Sequence, residues 1–166
     1  DLGVALDGDG DRSIMVDHEG NVVDGDEMLF VIACERRRRN IEFGGVVGTK
    51  MSNLGMELAL AKLEVPFART AVGDRFVLRE MQQRGWQLGG ESSGHIICRD
   101  ITTTGDGIVS ALQALTAVAL TDKSLKELRS AMQKFPQTMI NVRLGQNPNV
   151  SANQSVRDAV AGVEAK

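Results

Sequence analysis

Short apolar runs separated by turns alternate with helical periodicities along most of the chain. Leu2–Leu6 and Ser13–Val16 have the length and composition of short buried strands, so the polar stretch between them falls on a loop. His18-Glu19-Gly20-Asn21 reads as a hairpin turn into Val22-Val23. A helix is expected from Glu27 to Ala33, with Asp24-Gly25-Asp26 as an acidic cap before it and Arg36 to Arg39 at its basic end. Gly45–Thr49 is a glycine-flanked apolar strand, and Asn53–Leu63 carries Leu54, Leu58 and Ala61 at helical spacing. Strand Pro66–Val72, helix Asp74–Arg84 and strand Trp86–Leu88 continue the alternation. Strand and helix in turn predict an α/β fold, a layered α/β/α domain with a mixed, largely parallel sheet.

Beyond it, Thr102–Gly107 leads into Ile108–Leu120, a helix so rich in alanine and leucine that only a narrow face should meet solvent. Thr121–Ser124 caps a further helix, Leu125–Lys134. Phe135-Pro136 breaks the pattern and marks a boundary near Phe135. Gln137–Leu144 then alternates as a strand, and Asn147-Pro148-Asn149 turns into an amphipathic helix from near Ser151. The first apolar strand starts one residue in and the last residue lies inside a helical pattern, which leads us to expect a fragment flanked by partial neighbouring domains.

Composition narrows the class without naming a function. With 166 residues, 42% hydrophobic and 25% charged, the chain is long enough to bury a sizeable core. A net charge of -3 offers no attraction for nucleic acid or an anionic membrane. The four consecutive arginines are accounted for by the helix macrodipole, which favours cations at a C-terminus. No apolar run is long enough for a membrane span, and the N-terminus does not read as a signal peptide. Cys34 and Cys98 have no metal or redox spacing, which suits a reducing compartment, the cytoplasm.

The chemistry concentrates in two stretches. Asp7-Gly8-Asp9-Gly10-Asp11-Arg12 places three carboxylates at alternate positions on the first loop. Carboxylates this close repel one another unless a cation neutralises them, and hard oxygen ligands select Mg²⁺, Mn²⁺ or Ca²⁺. An EF-hand counted from Asp7 would need Gly where Arg12 stands and Glu where His18 stands, so that reading fails. Arg12, planar and permanently charged, suits a phosphate held beside the metal. Gly89-Gly90-Glu91-Ser92-Ser93-Gly94-His95 is the second stretch. Its G-x-S-x-G match lacks the helix after the serine and any later histidine, which excludes a nucleophile elbow. A tight turn presenting a carboxylate, two hydroxyls and an imidazole can hydrogen-bond a polyhydroxylated ligand. Gly44–Lys50 has neither the order nor the spacing of a P-loop.

Together these stretches resemble the α-D-phosphohexomutases, a family of four-domain enzymes. Asp7–Arg12 is similar to the family's magnesium loop and Gly90–His95 to its sugar-binding loop. Thr49-Lys50-Met51-Ser52-Asn53, Ala71-Val72-Gly73-Asp74-Arg75 and Thr103-Thr104-Gly105-Asp106-Gly107 resemble its phosphoglucosamine branch; the phosphomannomutase/phosphoglucomutase branch carries a Lys-Thr-Gly-His-Ser type loop in place of Ala71–Arg75. The resemblance implies that residues 1–24 end the second domain with the metal loop, 25–134 form the third and 135–166 begin the fourth. It further implies Mg²⁺ on Asp7, Asp9 and Asp11, Arg12 near the transferred phosphoryl group, and Glu91 and Ser93 on sugar hydroxyls. His95 is then a proton-transfer or orienting residue. The implied partners are a sugar-phosphate substrate and the remaining domains of the same enzyme, with a homodimer among the assemblies allowed. The phosphorylated serine of the family has no counterpart in these residues, so the chain alone is expected to be inactive. A phosphomannomutase/phosphoglucomutase of the same family, a non-catalytic divalent-metal-binding module and a sugar-phosphate isomerase or transferase of another kind are the other readings open at this point.

Overall fold

The computed structural model describes residues 1–143 and 149–165. It divides into two compact units, Asp1–Pro136 and Gln137–Lys166. The first unit opens with a small antiparallel sheet in which β1 (Gly3–Leu6) pairs with β2 (Ser13–Val16), and β2 with β3 (Val22–Val23). The turn between β2 and β3 closes on Asp17, whose Oδ1 accepts the backbone N–H groups of Glu19 and Asn21 at 3.0 and 2.9 Å. Helix α1 (Gly25–Arg38) starts at a capping box, with Asp24 accepting from Asp26 and Glu27 while Glu27 reaches back to the Asp24 N–H. Its residues from Gly25 to Ala33 are all buried, which places it between packed elements rather than at a surface.

The second sheet has the order β5-β4-β6-β7, from β4 (Val46–Thr49), β5 (Phe67–Thr70), β6 (Leu88–Gly90) and β7 (Ile96–Cys98). Strand β4 runs parallel to β5 and β6, and β7 returns antiparallel to β6. Helices α2 (Leu54–Lys62) and α3 (Asp74–Arg84) supply the crossovers between the parallel strands. Successive strand residues face opposite sides, and the core divides accordingly. Val46, Leu88 and Ile96 join α1 and α2 in the larger cluster, while Val47 and Ile97 meet Val77 and Met81 of α3 on the other face. Helix α4 (Gly107–Thr121) packs its small residues Ser110, Ala111, Ala114 and Ala117 inward, and α5 (Leu125–Arg129) closes the unit. This is the mixed, largely parallel α/β architecture expected from the alternation.

Several local expectations are corrected. All four residues of β1 are exposed, because β1 is an edge strand paired on one side by β2. Helix α2 forms where the spacing of Leu54, Leu58 and Ala61 predicts it, with that stripe facing outward and Gly55, Met56, Ala59 and Leu60 buried. Helix α4 exposes far more than a narrow face, since Ile108, Leu112 and Leu120 are each over half exposed. The basic end of α1 is not uniformly solvated: Arg36 is buried and donates to Asp100 at 3.0 Å. Strand β6 starts at Leu88 and takes in Gly89 and Gly90, so the turn of the second chemical stretch begins only at Glu91. The helix after Ser124 ends at Arg129 rather than Lys134.

In the second unit, residues 137–143 form no strand, and among the described residues of that unit there is no other strand to complete a ladder. Leu144 and the Asn147-Pro148 turn lie outside the described residues. The helical segment is a 3₁₀ turn at Val150–Ala152 followed by α6 (Gln154–Glu164), which Asn153 caps through the Val156 N–H.

Candidate metal and sugar site

The loop between β1 and β2 folds because Gly10 takes a positive φ of 72° and donates its N–H to the Asp7 carbonyl at 3.3 Å. That turn brings one carboxylate oxygen from each of Asp7, Asp9 and Asp11 to within 4.8 Å of the others. Asp11 Oδ1 is buried and accepts no hydrogen bond. Removal from water, and next the Asp9 carboxylate, raise the Asp11 pKa above its ordinary value, with His95 and Arg12 opposing. Arg12 stands over the cluster with Nε 3.7 Å from Asp7 Oδ2 and 3.6 Å from Asp11 Oδ1, close enough for charge attraction but beyond hydrogen bonding. Converging carboxylates with an unpaired oxygen fit a hard divalent cation such as Mg²⁺.

The second stretch is the β6–β7 turn. Glu91 N–H donates to the His95 carbonyl and Gly94 N–H to the Glu91 carbonyl, both at 3.0 Å, which closes it. Gly94 has a φ of 92°, and a Cβ there would overlap the Ser13 carbonyl oxygen, so no other residue fits. Ser93 is exposed at the tip, and Glu91 is half-buried. One oxygen of Glu91, Oε1, accepts the backbone N–H of Gly73 at 2.9 Å, leaving Oε2 for another partner. His95 is buried, with Nε2 3.5 Å from Asp11 Oδ2.

Backbone bonds fasten the two stretches together. Ser13 N–H donates to the Gly94 carbonyl at 3.2 Å, and Gly107 N–H to the Gly10 carbonyl at 2.9 Å. The β6–β7 turn also lies at the carboxyl end of the parallel strands, where Lys50 follows β4, Ala71–Gly73 follow β5 and Glu91 follows β6. Ligands of open α/β sheets bind at that edge. The fold thus brings Asp7, Asp9, Asp11, Arg12 and His95 together and sets Glu91 and Ser93 on the adjoining turn. A cavity of about 670 Å³ lined by Leu2, His18, Val118 and Leu125 includes none of these residues.

Sequence reasoning missed Gly73, Gly105 and Gly107 as parts of this assembly. A Cβ on Gly105 would overlap the His95 ring, and one on Gly107 would lie 2.6 Å from the Arg12 carbonyl oxygen. The Gly105-Asp106-Gly107 spacing was the available signal, since glycines permit close backbone approach.

Comparison with known proteins identifies the family. Residues 24–135 match the model of phosphoglucomutase/phosphomannomutase, alpha/beta/alpha domain III. The chain belongs to the phosphoglucomutase/phosphomannomutase family. Within this family, that of the phosphohexomutases, it is similar to phosphoglucosamine mutases. It is 56% identical to that of Aeromonas salmonicida over 164 residues, 99% of this chain and 37% of that protein. It is 57% identical to that of Methylococcus capsulatus over 166 residues. The chain therefore spans 37% of the length of these curated relatives. Among solved phosphohexomutase structures, a putative phosphomannomutase from Thermus thermophilus matches 79% of this chain and 30% of its own, with 27% identity and a TM-score of 0.73. Aspergillus fumigatus N-acetylphosphoglucosamine mutase, solved in complex with GlcNAc-6P and magnesium, matches 88% of this chain and 38% of its own at 20% identity and a TM-score of 0.72. At that identity the likeness to the fungal enzyme is one of fold.

Proposed function

We propose that the chain forms the metal-binding and sugar-binding part of a phosphoglucosamine mutase, which interconverts glucosamine 6-phosphate and glucosamine 1-phosphate through a bisphosphorylated sugar. The observation that carries the reading is the junction of the two loops, where Ser13 N–H meets the Gly94 carbonyl and the Asp11 carboxylate meets His95. That junction supports a cation site on the β1–β2 loop next to a hydroxyl-binding turn between β6 and β7. Identity of 56% over nearly the whole chain to phosphoglucosamine mutases supports the choice of substrate.

Phosphoryl transfer needs charge neutralised on the moving group more than covalent help. Asp7, Asp9 and Asp11 would hold Mg²⁺, which supplies that neutralisation when bound. Arg12 adds a permanent positive charge at the same place. Glu91, through its remaining oxygen, and Ser93 bind sugar hydroxyls and orient the ring for each transfer. His95 stands at the junction of the two loops. The serine that carries the phosphoryl group and the clamp on the distal phosphate are supplied by other domains of the same enzyme. In this scheme residues 1–24 close the second domain, 25–134 are the third and 135–166 begin the fourth. The reaction belongs to the cytoplasmic route to amino-sugar polymers of the cell wall. Among the described residues, no helix is long and apolar enough to cross a membrane.

The test is turnover. The full-length protein, given Mg²⁺, glucosamine 6-phosphate and a trace of glucosamine 1,6-bisphosphate, should form glucosamine 1-phosphate with higher kcat/KM than it shows on glucose or mannose phosphates. The 166-residue chain should form none, because groups that act as a unit fail together. Turnover proportional to the amount of isolated chain would place the nucleophile inside it and overturn this assignment.

A further inference from the structure

We propose that Gly73 is a positioning residue for Glu91: its N–H holds Oε1 and leaves Oε2 presented to a sugar hydroxyl, while Gly25 fixes the turn that carries the glutamate. The inference rests on the sugar-loop reading above. A glutamate side chain turns about several bonds, and a ligand that must order it binds more weakly than one that finds it already ordered. Glu91 is ordered beforehand, because Oε1 accepts the Gly73 N–H at 2.9 Å. Hydroxyl groups donate to a carboxylate, and Oε2 is the oxygen left to accept from them.

Helix capping alone does not call for this bond. The N–H of an N-cap residue can be served locally, by a glutamate at the third helical position. Glu27 does so for Asp24 at the start of α1, and Glu127 for Ser124 at the start of α5, at 3.1 and 2.8 Å. In α3 the third position is Phe76, which offers no acceptor, and the N–H of the N-cap Gly73 is served instead by a turn 18 residues away. Gly73 has φ 127° and ψ 132°, a conformation open to glycine alone, so the path of the β5–α3 loop past Glu91 depends on it. The turn is held from its other side by α1. Gly25 N–H donates to the Ser92 carbonyl at 3.0 Å, and a Cβ on Gly25 would overlap the Glu91 carbonyl oxygen. The helix itself does not ask for glycine there, since alanine is the better helix former. Because Gly25 belongs to the buried part of α1, the backbone of Glu91 is fixed as well as its side chain.

The experiment joins a double-mutant cycle in the full-length protein, read as kcat/KM for glucosamine 6-phosphate, to NMR of the 166-residue chain. In the parent, a scalar coupling across the hydrogen bond should connect the Gly73 amide nitrogen with the Glu91 side-chain carboxyl carbon, and it should vanish in Gly73→Ala. Gly73→Ala should lower kcat/KM about tenfold or more, because a small misplacement of a substrate-orienting group is costly. In a Glu91→Ala background the same substitution should change kcat/KM by less than about twofold, since the carboxylate that Gly73 positions is gone. Gly25→Ala should weaken the coupling and lower kcat/KM in the parent background. If Gly73→Ala fails to fold, Gly25→Ala and the coupling in the parent decide. Losses that add in full across the cycle, or the absence of the coupling from the parent, overturn the proposal while leaving Glu91 on the sugar. A Glu91→Ala enzyme with unchanged kcat/KM refutes the sugar-loop reading itself, and the positioning role with it.

Discussion

Two clusters of carboxylates stand close together in the sequence and behave in opposite ways. Asp7, Asp9 and Asp11 share one exposed loop, and the cation nearest to Asp7 and Asp11, Arg12, stays 3.6 to 3.7 Å from their oxygens. Asp17, Asp24 and Glu27 surround the start of α1, and every one is bonded. Arg129 reaches Asp17 at 3.0 Å and Glu27 at 2.6 Å, Lys134 reaches Asp24 at 2.5 Å, and Asn21 adds its backbone and side chain to Asp17. The Asp17 side chain is 0% exposed and that of Glu27 1%, against 34% for Asp7. Acidic density alone does not make a site. What separates a candidate ligand set from a structural joint is whether the chain itself supplies the counter-charges.

Removing a counter-charge from the saturated cluster should have the largest effect. Arg129→Met keeps most of the side-chain volume but leaves Asp17 and Glu27 buried without their cation. Losing one partner of a buried pair costs about 3 to 5 kcal/mol, and because Arg129 is partly exposed the lower end is expected. Urea unfolding at neutral pH measures it. A cost below about 1 kcal/mol would place these pairs with ordinary surface ion pairs and erase the distinction.

Asp26 is a third kind of carboxylate, buried and without a cation in contact. Its Oδ2 accepts the Asn53 N–H at 2.7 Å and its Oδ1 has no partner. Burial pushes its pKa up to about 6 against the pull of the Asn53 N–H, with Asp24 adding to the rise and Lys134 opposing it. A folded pKa raised above the unfolded one means that its stability contribution is full below about pH 4 and is lost as pH rises through about 6. Asp17 has the opposite sign. Burial alone would raise it, but hydrogen bonds from Asn21, Arg129 and the Glu19 N–H hold it well below the usual carboxylate range. Its contribution is therefore present above about pH 4 and fades as acid is added. Asp26→Asn should gain about 2 kcal/mol relative to the parent between about pH 4 and pH 7.5, read from urea midpoints. A constant difference across that range would show that Asp26 ionises normally.

The same contrast explains which parts could be read from the sequence. The three-carboxylate loop and the β6–β7 turn stood out as candidates because their features are local: alternate aspartates with glycines between them, and a carboxylate, hydroxyls and an imidazole on one turn. The alternation of strand and helix likewise made the sheet and α3 readable. The saturated joint was not legible, because Arg129 lies 112 residues from Asp17 and 102 from Glu27. The spacing of Leu54, Leu58 and Ala61 made helix α2 readable but not which of its faces is covered. Spacing marks one face of a helix, but which face the sheet covers depends on partners distant in sequence, and α2 buries Met56, Ala59 and Leu60. Residues 137–143 show the limit for strands: alternation does not make a ladder without a neighbour.

Glu91 lies between the two extremes, with one oxygen committed and one available, and its substitution separates the two duties. Glu91→Ala deprives the Gly73 N–H of its acceptor at the start of α3, which should cost about 1 kcal/mol of stability. Glu91→Gln keeps an acceptor there and should recover most of that loss. In the full-length protein, both should lower kcat/KM, Ala by a factor corresponding to about 1 to 3 kcal/mol of transition-state binding. If turnover per folded molecule is unchanged while the melting temperature falls sharply, Glu91 serves α3 and not the sugar.

The smallest stability effect is expected where the binding effect is complete. Asp9 is exposed, and among the described residues it makes no ion pair. Its neighbours on the loop are two further carboxylates, which its charge repels. Asp9→Asn therefore removes repulsion and no favourable contact, and the urea midpoint should stay within about 0.5 kcal/mol of the parent or rise slightly. Binding behaves differently, because a divalent ion gives up tightly held water only in exchange for charged oxygens, and a neutral amide replaces one of them. Calorimetric titration with Mg²⁺ or Mn²⁺ should show heat for the parent and none for Asp9→Asn at the same millimolar concentrations. Added Mg²⁺ should also raise the melting temperature of the parent alone, since an ion that binds only the folded state stabilises it. Should Asp9→Asn instead cost several kcal/mol in the absence of metal, the loop would be a structural joint like the Arg129 cluster, and the difference between the two clusters would be one of exposure only.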